Sequence, residues 1–87
     1  MAKTFAELQA QASVAPEEFM ATLEQYAKNN MVINARVVIN LIRRVDLDPH
    51  QKVKAHNHAL EGCRRQQRLG HRHYAQQYEA VAALVTL

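Results

Sequence analysis

The chain has 87 residues, 48% hydrophobic and 6% aromatic, with a net charge of +3; that is one domain, residues 1–87, with a modest core that self-association would help, since so short a chain buries only about two thirds of its unfolded surface. Two Gly, two Pro and no Trp are too few turn and strand formers for a sheet of many short strands. The lone Cys63 excludes an internal disulfide, no N-terminal run resembles a secretory signal, and no apolar run approaches a membrane span, so a cytoplasmic setting is expected.

Thr4 followed three residues later by Glu7 has the form of a capping box, and Phe5, Leu8 and Ala12 would lie on one side of a short first helix. Ser13 to Ala15 break it. Pro16, Glu17 and Glu18 then open a second helix, with the carboxylates at the positive end of its dipole, and Phe19, Leu23, Tyr26 and Ala27 on its buried side. Asn29 and Asn30 close it, because Asn tolerates the left-handed cap conformation. Met31 to Ile33 fits a buried turn, a helix start or a short strand equally well. Asn34 is a cap for the clearest helical pattern, Val37, Val38, Leu41, Ile42 and Val45, which is expected to be the central helix of the fold.

Asp48 and Pro49 start the C-terminal segment: the carboxylate can accept from amides further on, and Pro at the first helical position gives up a donor with no partner. Val53, Leu60, Gln67, Tyr74 and Val81 recur every seven residues from there, with His56, Cys63, Gly70, Gln77 and Leu84 as the offset set. Such recurrence makes one helical seam, here interrupted by polar residues. Gly70 offers two outcomes, one long helix or a break into two. The fold class is all-α: a compact bundle of four to five helices with a long or Gly70-broken C-terminal helical segment.

Charge is concentrated in that segment. Residues 50–73 hold six Lys and Arg against Glu61 alone, whereas residues 1–49 hold five against six acids. An anionic partner is implied, either nucleic acid or an acidic protein surface. On a straight helix Arg64, Arg68 and Arg72 form a stripe one turn apart, with Arg65 and Lys54 beside it. Guanidinium forks at that spacing suit successive phosphates, and Arg43 on the preceding helix is a possible addition. The competing expectation is a helical adaptor or inhibitor that binds another protein, or self-associates as a homo-oligomer, through the seam of Val53, Leu60, Tyr74 and Val81.

Other chemistries fare worse. A helix-turn-helix over residues 17–45 would turn Arg36, Asn40 and Arg43 outward, but its turn lacks the usual Gly. His50, His56, His58, Cys63, His71 and His73 contain no pair spaced three or four apart, so no metal site is expected and the His residues read as surface groups. Cys63 lies too far along a helix from His56 or His71 to form a thiol and base pair. No phosphate loop or nucleophile motif is present, and neither a catalytic site nor a cofactor is expected.

Overall fold

The computed structural model describes residues 3–85. Five helices follow one another: α1 (Phe5–Ala10), α2 (Pro16–Lys28), α3 (Ala35–Arg44), α4 (Pro49–Arg68) and α5 (Arg72–Leu84), with no strand among the described residues. The chain is an all-α bundle, and the C-terminal segment takes the broken alternative. Gly70 sits at φ 79°, the left-handed conformation that costs Gly nothing, and its amide bonds the carbonyl of Gln67.

The helix starts follow the chemistry of their caps. Thr4 Oγ1 accepts from the Glu7 amide at 3.1 Å, and Glu7 returns the bond to the Thr4 amide at 3.0 Å. Those bonds hold the Glu7 carboxyl below its ordinary value. Asn34 caps α3 by accepting from the amides of Arg36 and Val37. Asp48 accepts from the Gln51 amide at 2.7 Å, and Gln51 closes a second capping box on the Asp48 amide. At the start of α2, Glu18 accepts from Lys3 and from the Ala15 amide, and both bonds lower its pKa, Lys3 the more. Asn30 takes the left-handed conformation just past α2, at φ 56°. The exposed end of α1 is covered by Arg44, whose guanidinium donates to the carbonyls of Gln9 and Gln11.

The hub of the bundle is α4, not α3 as the apolar pattern suggests. It packs against both α5 and α2, while α3 packs against α5 and α1. The buried side of α4 is Ala55, Ala59, Gly62, Cys63 and Gln66. Small residues there let neighbouring helices come close, and larger groups from those helices, Phe19, Leu23, Tyr78 and Val81, fill the space. Gly62 is the closest approach: a Cβ there would stand 2.8 Å from Tyr78 Cζ and nearer still to Cδ1 and Cε1.

The chain between α2 and α3 is gripped from the other side of the bundle. Gln66, almost fully buried, donates through Nε2 to the Asn30 carbonyl at 3.0 Å. Tyr78 donates its hydroxyl to the Met31 carbonyl at 2.5 Å, and Gln77 Oε1 accepts from the Ala35 amide at 2.9 Å. Ile33 is buried while Met31 and Val32 remain exposed. The apolar triplet at residues 31–33 is therefore a connection outside any regular element, fixed by side chains far away in sequence.

Candidate nucleic-acid interface

At about 100° per residue, the buried side of α4 defines an opposite side carrying Asn57, Arg64 and Arg68. All three are exposed. They line one open groove with Leu60, Glu61 and Arg65. Arg65 is half-buried and its Nε donates to Glu61 Oε1 at 3.2 Å, one turn earlier. Arg64 and Arg68 have no ion pair among the described residues. The structure thus brings together three of the predicted arginines and leaves two of them unneutralised.

The other members of the expected stripe are elsewhere. The turn at Gly70 puts Arg72 at the start of α5, where it lines a separate groove with Gln67, Gln76 and Glu79. The stripe does not continue through it. Lys54 is exposed on α4 but stands in the groove toward α2, with Glu17, Glu24, Asp48, His50 and His58. His58 Nε2 lies 3.4 Å from Glu24 Oε2, and Lys28 pairs with the same carboxyl group at 3.2 Å. Acidic groups from α2 therefore border the N-terminal half of α4 on the side of Lys54. Arg43 is exposed on α3, a different helix that packs against α1 and α5.

The seam expected for a protein partner is not one surface. Val53 and Tyr74 are exposed, Leu60 is half-buried against the core, and Val81 is completely buried. Val81 is unavailable to any partner of the folded chain. The break at Gly70 separates Val53 and Leu60 on α4 from Tyr74 and Val81 on α5, and within α5 the inner end is covered by the bundle. A different apolar group does surface. The bonds from Gln66 and Tyr78 set the α2–α3 connection beside the α4–α5 turn, so Met31, Val32, Leu69 and Tyr74 emerge at one end of the bundle.

The His residues are less uniform than their expected surface role. His56 is half-buried and its Nδ1 lies 2.8 Å from the Ala82 carbonyl, tying α4 to α5. His71 Nδ1 lies 3.0 Å from Gln66 Oε1, extending the buried polar cluster at the turn. His71 and His73 both meet the Tyr74 ring edgewise. No group of three or more His, Cys, Asp or Glu among the described residues is arranged to hold a metal ion. Burial pushes the Cys63 thiol upward, away from the thiolate form that attack would need.

Sequence alone gave no sign of the acidic border on α2 or of the grip on Asn30 and Met31, because both depend on how helices meet. No helix among the described residues is long and apolar enough to cross a membrane. The chain matches no family model, no curated protein and no solved structure.

Proposed function

We propose that this is a small, non-enzymatic regulatory binding protein of the cytoplasm that contacts nucleic acid through the C-terminal half of α4. The observation that carries this reading is the pair Arg64 and Arg68, exposed one turn apart opposite the core, with no ion pair among the described residues. Arg65 joins them at the edge, already oriented by Glu61. Planar guanidinium groups bind phosphate oxygens, and guanine edges as well, by paired hydrogen bonds. A catalytic reading has no comparable support, since Cys63 is buried and burial pushes its thiol upward.

Fluorescence anisotropy on mixed-sequence DNA and RNA at low salt tests the proposal. Binding is expected, with an affinity that falls steeply as salt rises, and the double substitution Arg64→Ala with Arg68→Ala is expected to abolish most of it. No binding at low salt, or binding indifferent to both arginines, overturns it.

The second reading, docking on another protein, is favoured by Met31, Val32, Leu69 and Tyr74, which are 37–51% exposed at one end of the bundle. It is distinguished by capture from lysate with and without nuclease, using Val32→Asp against Arg68→Ala. A protein partner retained after nuclease and lost with Val32→Asp supports docking.

A further inference from the structure

The basic face of α4 has a composition and setting that narrow the class of nucleic acid it suits. This step rests on the function proposed above. Single strands are usually held by aromatic rings on which unpaired bases stack, beside a basic groove. The α4 face has no such ring. Phe5, Phe19 and Tyr78 are buried, Tyr26 packs on Phe5, and Tyr74 lies on α5 between His71 and His73.

What the face does offer is an unbroken stretch of helix, residues 57–68, whose outer side carries Asn57, Glu61, Arg64 and Arg68, with Leu60 at its margin. Asn and Arg present paired hydrogen-bonding groups that match the edges of adenine and guanine, a carboxylate can accept from cytosine, and an apolar side chain can meet the thymine methyl. Glu61 is taken up by Arg65 and Leu60 leans on the core, which leaves Asn57, exposed beside Arg64 and Arg68, as the group a purely phosphate-binding surface would not need. The stretch is about 18 Å long at 1.5 Å per residue, enough to lie along several base pairs. The acidic groups of α2 that crowd Lys54 would repel a phosphate backbone and so fix where the helix can enter.

We propose that the C-terminal half of α4 enters the major groove of duplex DNA, with Asn57 and Arg64 at base edges and Arg65 and Arg68 toward phosphates. The A-form major groove of duplex RNA is too narrow for a helix, so DNA is the duplex this geometry accepts.

The test is competition binding of the full chain to length-matched duplex DNA, duplex RNA and single-stranded DNA, followed by guanine N7 methylation interference on duplexes selected from a random pool. Duplex DNA is expected to bind more tightly than the other two, because only its major groove presents base edges to a helix. Methylation at one or two guanines should block binding. Arg64→Ala should relax base preference at one position, while Arg68→Ala should weaken all duplexes alike. Equal or tighter binding to single strands or duplex RNA, or indifference to N7 methylation, overturns the duplex assignment and leaves nucleic-acid binding standing. Failure to bind any of the three overturns both.

Discussion

Gly62 of α4 lies directly against the ring of Tyr78 on α5, closer than any residue with a Cβ would allow. That contact sets the separation of the two helices and puts the Tyr78 hydroxyl within reach of the Met31 carbonyl. One small residue thus connects the α4–α5 packing to the position of the α2–α3 connection.

Gly62→Ala is therefore expected to destabilise the protein even though Ala favours helix by about 1 kcal/mol. Overpacking a filled core costs about 1–3 kcal/mol, and here the obstacle is a buried ring with no room to turn. Urea unfolding of Gly62→Ala should show a lower midpoint, and the loss should shrink when Tyr78→Ala is also present. An unchanged midpoint in the single variant would contradict the close contact.

Gln66 is the buried polar link between α4, Asn30 and His71. Gln66→Leu keeps much of its bulk but leaves the Asn30 carbonyl without its partner, at a cost of about 1–3 kcal/mol. Hydrogen exchange should rise in residues 30–34 more than in α1. Uniform change across the chain would mean that Gln66 is not what holds the connection.

Tyr78 gives stability an alkaline limit. Burial pushes its pKa well above the ordinary 10.0, so the folded state keeps the phenol neutral where the unfolded chain ionises. Its contribution is complete below pH 10.0 and is lost progressively as pH rises above that value. The melting temperature should fall on that side, and more steeply in the natural protein than in Tyr78→Phe.

Glu7 and Glu18 act in the opposite direction. Both carboxyls lie below their ordinary value of 4.5 in the folded chain, Glu7 through its bonds to Thr4 and Glu18 mainly through Lys3. Their contribution is present above that value and disappears as pH falls through the lower folded value. Acid titration followed by NMR should show the amides of Thr4 and Ala15 shifting together with these two carboxyls, below the range where an ordinary Glu titrates.

The caps were legible because they are local. Thr4 with Glu7, Asn34, and Asp48 with Pro49 each act within a few residues, and their side chains name the conformation they stabilise, whereas Gly70 fitted a continuous helix or a break and only the fold decides for the break. The buried side of α4 was not legible. Its residues are Ala55, Ala59 and Gly62, chosen for small size where helices cross, while Val53 and Leu60 carry the stronger apolar signal yet lie exposed or half-buried. Arg64, Arg65 and Arg68 share a surface because their spacing falls within one helix; Arg72 falls beyond the turn, and the surroundings of Lys54 come from α2. Spacing predicts facing only while the helix continues, and it says nothing of what a neighbouring helix brings.

The location of binding is tested most directly by amide chemical-shift mapping during titration with a short mixed-sequence DNA duplex. The largest shifts are predicted in residues 57–68 of α4, with Arg64 and Arg68 among them and little change at Met31, Val32 or Tyr74. Shifts centred on those three residues instead, or no shifts at low salt, would contradict it.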